Sequence, residues 1–425
     1  MAKLCMTLPP FSPDYSGVCS TLFPWDTLTV IHDASGCTGN YTGYDEPRWF
    51  HSRAPIYCSG LREIDAILGD DEKLIQKVLY ALEDVKPEMI ALVGSPVPMV
   101  IGTDMEGIAA EIEDRTGIMS FGFDTTGIGY YPEGIKMVYK KVIQRVLEES
   151  DVESECQCKG GETKTEEEHS DKITKEGSSI ENSNKQKKLE SSVNIIGATP
   201  IDFGKSNTLE ELEQLLVDNG ITINVSLWKK TTKQDITRLK QGTCNIVVSH
   251  AGVELAKYME KRYGIPYVTG LPYGEKYAGI WIEKLKELFV DTCLEEDNAI
   301  SNKTECESTV SLKTESSILI IGEQFQSDSI RKAIEAEYGI NCDVAGICGW
   351  SKEFAREHDR FLESEEEIED ILNHEKYDVI IGDPLYKPLL HKEKKYLEYP
   401  HYAVSSKLAN EKAKSFIGKK VEVVL

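Results

Sequence analysis

The sequence predicts an α/β protein made of three doubly wound, Rossmann-like parallel-sheet domains. Three observations carry this expectation. Short apolar runs without alternation end on glycine or a polar turn, as strands covered on both faces do. Helix-spaced segments separate those runs, the pattern of strand–helix–strand crossovers. Two polar stretches, 151–192 and 293–316, are poor in aliphatics and cannot offset their own ordering entropy, so they read as linkers. Cutting there leaves pieces 1–150, 193–292 and 317–425.

The elements follow in order. In the first piece Glu88-Met89-Ile90-Ala91-Leu92-Val93-Gly94 and Ile118-Met119-Ser120-Phe121-Gly122 read as strands, with a helix from Met105 to Arg115 between them. The second opens with Val193-Asn194-Ile195-Ile196-Gly197. It continues through Ile221–Val225, Asn245–Val248 and Pro266–Val268. The third opens with Ile318-Leu319-Ile320-Ile321-Gly322 and later has Asp378–Gly382. Ligands of such sheets sit off the carboxyl ends of the strands. Here that means Gly94–Pro98, Gly197–Pro200, Ser249–Gly252, Gly322–Gln324 and Gly382–Leu385.

Composition narrows the function. The 425 residues carry 48 Lys+Arg against 72 Asp+Glu, a formal charge of −24, which repels phosphate backbones and argues against nucleic-acid binding. No apolar run reaches the ~18–20 residues of a membrane span. Pro9 and Pro10 interrupt the N-terminal stretch, which does not read as a signal peptide, so a cytoplasmic chain is expected. The glycine fingerprints of dinucleotide and phosphate loops are missing after the glycine-ended strands, so no nucleotide is expected there.

The eleven cysteines then stand out. In a reducing compartment they read as small hydrophobes, metal ligands or redox groups. Cys19, Cys37 and Cys58 lie in Gly/Ser-rich, turn-prone sequence, at spacings too wide for a zinc finger. Thiolates gathered from separate loops suit an iron–sulfur cluster, completed by Cys5, a carboxylate such as Asp14, or a second chain. Buried structural thiols suit the same spacing. Cys156-Gln157-Cys158, inside the first linker, reads as a solvated pair. Cys244, Cys342 and Cys348 read as core, and the Glu166–Glu168 and Glu365–Glu367 runs as solvated faces.

A family resemblance favours the cluster. Gly17-Val18-Cys19, His32-Asp33-Ala34-Ser35-Gly36-Cys37, Leu61–Leu74 and Gly94–Gly107 resemble nitrogenase component 1 in order and spacing, as do Tyr258–Tyr267 and Ile320–Glu323. That superfamily includes the nitrogenase molybdenum–iron subunits, their cofactor-assembly scaffolds and the dark-operative protochlorophyllide reductases. The resemblance implies three α/β domains around a central cavity and a pairing of homologous or identical subunits. It also implies an iron–sulfur cluster, [4Fe–4S] or larger, near their interface, and electrons from a separate ATP-hydrolysing iron protein. Cys19 and Cys37 match the first two ligand positions. The third falls around Ser95–Pro98, where no cysteine stands, and Cys58 is its nearest substitute. The cysteine that anchors the iron–molybdenum cofactor would fall near Ser249, and the cofactor histidine near His401. The missing cysteine argues against dinitrogen reduction. The expected activity is that of a nitrogenase-like oxidoreductase subunit. The alternatives are a scaffold for metallocluster assembly and a binding protein of the same shape that holds no iron.

Overall fold

A computed structural model describes residues 5–159, 191–294 and 317–422, the side chains of 154–159 and 290–294 excepted. The predicted apolar runs form strands of three sheets, some central and some at edges, and every strand pair is parallel. The first sheet is β1 (Thr27–Ile31), β2 (Ile56–Cys58), β3 (Met89–Val93) and β4 (Met119–Phe123), in the order β2-β1-β3-β4. The second holds β5 (Ser192–Ile196), β6 (Thr222–Ser226), β7 (Cys244–Val247) and β8 (Tyr267–Thr269), in the order β6-β5-β7-β8. The third holds β9 (Ile318–Gly322), β10 (Cys342–Gly346), β11 (Arg360–Phe361), β12 (Val379–Gly382) and β13 (Lys395–Glu398). Its order is β11-β10-β9-β12-β13. Strands β1, β3, β5 and β9 are buried along their whole length, as runs sandwiched between helix layers must be.

In each sheet the opening strand has neighbours on both sides, so the order reverses beside β1, β5 and β9. Crevices open at such switch points, off the carboxyl ends. The predicted boundaries need two corrections. The helix Gln144–Lys159 continues past residue 150, because its first turns belong to the core through Val146 and Leu147, and β5 already begins at Ser192. Glu166–Glu168 and the side chains of Cys156 and Cys158 lie outside the described residues.

Two helices hold the first sheet's crevice in place. Helix α1 (Asp14–Leu22) covers a segment that reads as turn-prone from its glycine and serines. Its Gly17 faces the backbone of a later helix, Tyr131–Val138. A Cβ on Gly17 would lie 1.9 Å from the Tyr131 carbonyl oxygen, and one on Gly134 would lie 1.9 Å from that of Asp14. The glycines are there for close approach of two backbones rather than for turning. Gly17→Ala is expected to destabilise the fold by about 1–3 kcal/mol through overpacking. A urea titration showing an unchanged midpoint would refute the contact.

Candidate functional site

The β1 crevice gathers the chemistry of the first sheet. After β1 the chain turns through Asp33, whose carboxylate accepts N–H groups of Ser35 (2.9 Å) and Thr38 (3.0 Å). This holds Ser35 at φ 113°, a left-handed conformation that costs a non-glycine residue energy and marks a constrained turn. Cys37 follows on the short helix Gly36–Asn40 and is half-buried. The hydroxyls of Tyr15 and Ser95 lie beside the Cys37 thiol. Partial burial, and then the Asp33 carboxylate, push that thiol up, while the two hydroxyls pull it back. Ser95 also donates to the His32 carbonyl (2.8 Å), which ties the β3 loop to the β1 loop. Behind them, the buried Asp45 carboxylate accepts from Ser12 (2.9 Å), Ser16 (2.7 Å) and Asn40 (2.8 Å).

Cys58 ends β2 and meets the same turn. Its thiol donates to the Asp33 carbonyl (3.4 Å) and receives the Gly60 N–H (3.4 Å). His32, between the two loops, shares a hydrogen bond with Ser59 Oγ (2.9 Å), and burial lowers its pKa to about 4. Cys37 and Cys58 therefore share one turn at the mouth of the crevice. Cys19 does not join them. It is 0% exposed on α1, packed into the core with Tyr41, Val18 and Leu22, and burial holds its thiol well above the usual range. Among the described residues no group of three or more His, Cys, Asp or Glu is arranged to hold a metal ion. One chain alone offers two accessible thiols here.

Sequence reasoning missed Tyr15 and Ser95. Only the expected third ligand position near Ser95–Pro98 pointed to the latter. At the seam where the three sheets meet, sequence reasoning also missed Tyr131 and Asp202. There Tyr131 donates to Asp202 (2.6 Å), which also accepts from Thr199 Oγ1 (2.9 Å), and His401 Nε2 lies 4.0 Å from the same carboxylate. Glu323, just after β9, accepts the backbone N–H groups of His250 (2.7 Å) and Gln326 (2.9 Å). Both carboxyls are buried, and burial lifts Asp202 to about 7 and Glu323 to about 8. Burial likewise lowers His250 and His401 to about 4, so neither supplies a positive charge at neutral pH. His401 Nδ1 and Tyr386 Oη are buried without a hydrogen-bond partner. Ser249 spends its hydroxyl on the Gly197 carbonyl. Glu365 is not a merely solvated acid either, because its carboxylate accepts the N–H groups of Met6, Thr7 and Leu8.

The profile of the nitrogenase component 1 type oxidoreductases matches residues 22–396. The chain belongs to that family. It is 22% identical over 322 residues to a light-independent protochlorophyllide reductase polypeptide of Nostoc punctiforme, covering 70% of this chain and 57% of that one. It is 24% identical over 289 residues to the nitrogenase iron-molybdenum cofactor biosynthesis protein NifE of Methanosarcina barkeri, covering 65% and 54%. The chain thus spans little more than half the length of these relatives. A solved nitrogenase Cp1 structure superimposes with a TM-score of 0.54 at 15% identity, over 93% of this chain and 70% of that chain, which shows the fold. No described helix is long and apolar enough to cross a membrane.

The seam makes stability depend on pH with a definite sign. Asp202 binds a proton more tightly folded, at about 7, than at its ordinary 3.8. Its contribution is therefore complete below about pH 4 and is lost as pH rises through 7. Asp202→Asn, which keeps a neutral acceptor for Tyr131, should flatten that part of the curve and stabilise the fold at pH 8 by roughly 1–3 kcal/mol. Chemical denaturation at pH 5 and pH 8 checks it. Equal losses at both values would place the charge elsewhere.

Proposed function

We propose that the chain is the subunit of a cytoplasmic nitrogenase-like oxidoreductase, in which Cys37 and Cys58 hold an iron–sulfur cluster jointly with a second, homologous or identical subunit. The observation that carries this reading is the pair of accessible thiols on the Asp33 turn, with no complete metal site among the described residues of one chain. Two such turns meeting across a two-fold axis would supply four thiolates, the set a [4Fe–4S] cluster takes. Cys19 leaves the expected set because a cluster there would have to displace core side chains. Apolar side chains exposed next to the crevice support a covered surface: Val97, Met99, Val100 and Ile101 follow Ser95 directly, and Ile64, Ile67 and Leu68 follow Cys58.

When bound, the cluster supplies one-electron transfer at low potential. This chain's part is to present the thiols, aim the Tyr15 and Ser95 hydroxyls at Cys37 sulfur, and hold protons on Asp202 and Glu323 at the seam. Electrons would come from an iron-protein-like ATPase. The seam does not fit an iron–molybdenum cofactor: Ser249 is no thiolate and is committed to the Gly197 carbonyl, and His401 is enclosed by protein side chains. Dinitrogen is therefore not the proposed substrate. The second reading, a scaffold that carries a metallocluster for transfer, is favoured by the same committed Ser249 and by the likeness to a cofactor biosynthesis protein.

Anaerobic purification with iron and acid-labile sulfide analysis tests the ligand set. The expected content is about four irons per pair of chains, lost in Cys37→Ser and Cys58→Ser and kept in Cys19→Ser and Cys158→Ala. Iron loss in Cys19→Ser equal to that in Cys37→Ser, with all variants folded, would return the cluster to α1. Substrate reduction on adding an iron protein and ATP would separate the reductase from the scaffold.

A further inference from the structure

A second site, lined by none of the Cys37 turn, lies between the N-terminal strap and the third sheet. It is a cavity of about 250 Å³, just below the ~300 Å³ at which pockets for drug-sized ligands begin. Its walls are apolar: Phe11 and Tyr130, with ring centroids 5.8 Å apart, join Ile128, Leu362 and Ile368. Cys348, 5% exposed, closes one side.

The walls are fixed by hydrogen bonds rather than by mutual packing alone. Asp14 accepts the N–H groups of Thr126 (3.0 Å) and Gly127 (2.8 Å), and its own N–H donates to the Gly129 carbonyl (2.8 Å). Tyr131 N–H donates to the Ser12 carbonyl (2.9 Å), joining that loop to the strap. At the other edge the Glu365 carboxylate takes three successive N–H groups of the strap, at Met6, Thr7 and Leu8. A cavity whose lining is tied down in this way is formed before any ligand arrives.

Two further features point to use. Cys348 holds φ at 62°, a strained backbone for a residue with a side chain. Close to it Tyr386 is fully buried, and its hydroxyl has no partner. The charge at the mouth selects among ligands. Glu363 and Glu365 line it, and among the described residues no lysine or arginine does. A carboxylate or phosphate would meet two acids and no cation, whereas a neutral or cationic molecule would not be repelled.

We propose that this cavity binds a small, largely apolar molecule that is uncharged or positively charged. The assignment does not depend on whether the chain transfers electrons or carries clusters.

A matched pair of fluorescent dyes tests both parts. N-phenyl-1-naphthylamine is neutral, and 1-anilinonaphthalene-8-sulfonate is the same skeleton with an anionic group. Titrated into the full chain at pH 7.5, the neutral dye should saturate at one per chain and bind at least ~10-fold more tightly than the sulfonate. Ile368→Trp fills the cavity and should weaken the neutral dye by a similar factor. Glu363→Lys reverses a charge at the mouth without touching the apolar walls, and should bring the two affinities together by strengthening the sulfonate. Equal affinities in the wild-type chain, several dyes per chain, or a gap unmoved by Glu363→Lys would overturn the proposal. If Ile368→Trp does not melt cooperatively, the Glu363→Lys comparison alone decides.

Discussion

The close crossing of α1 with the helix Tyr131–Val138 is the constraint on which the rest depends. Gly17 and Gly134 let the two backbones touch, and everything α1 carries is positioned by that touch. Asp14 at its start builds the Gly127–Gly129 loop. Tyr15, one residue on, reaches the Cys37 thiol, and Ser16 holds Asp45 behind it. From the other helix, Tyr131 reaches across to Asp202 in the second sheet's crevice. A single backbone contact therefore registers the thiol turn, the acidic seam and the cavity wall against one another. Interiors are packed densely enough that a methyl group at this crossing would have to move all three.

Much of the fold was legible because most central strands are buried on both faces and so are largely apolar. Ile318–Gly322 lies where its sequence places it, and β3, β4, β5, β7 and β12 agree to within a residue or so. β1 escaped although it is central and fully buried, because Thr27 and Thr29 alternate with its apolar residues, while three others are short or lie at edges. β2 is three residues long with Tyr57 exposed, β11 is two, and β13 carries Lys395 and Glu398. Their pairing is set by the strand beside them, not by their own pattern. β10 was obscured differently, since Asp343 and Gly346 interrupt its apolar run, yet Asp343 is satisfied by the Tyr377 hydroxyl (2.8 Å).

The site was half legible for a related reason. Glycine beside a polar cysteine reads the same whether the glycine turns the chain or lets another backbone approach. At Gly36–Cys37 no other backbone approaches the glycine, Ser35 makes the turn, and the thiol is accessible. At Gly17–Cys19 another backbone does approach, and the thiol is sealed in the core. Only the partner across the gap, the Tyr131 carbonyl, separates the two cases, and it is more than a hundred residues away. The seam acids were hidden by their own ordinariness, because an acid following a strand glycine is also what a helix cap looks like. Glu323 does cap the helix that follows it through the Gln326 N–H. Its burial, next to a second buried carboxyl, is a property of three sheets meeting.

Two buried carboxyls in one seam cannot both carry charge without a cation beside them, and the nearby imidazoles of His250 and His401 are themselves held neutral by burial. The least costly state near neutral pH is the one in which the seam keeps a proton. Electron transfer through a cluster at the β1 crevice would deliver only charge, and each electron added to a desolvated interior raises the cost of the next. A proton that can follow the electron offsets that cost. On the proposed reading Tyr131 would be the group that moves it, since its hydroxyl bonds Asp202 and lies 3.4 Å from His401 Nε2. It rises from the first turn of the helix that α1 touches through Gly17. On the proposed reading, the glycine crossing thus couples the residue that steadies the thiol to the residue that relays the proton. Relaxing that crossing would disturb electron entry and proton supply together, even with every cysteine and carboxyl intact.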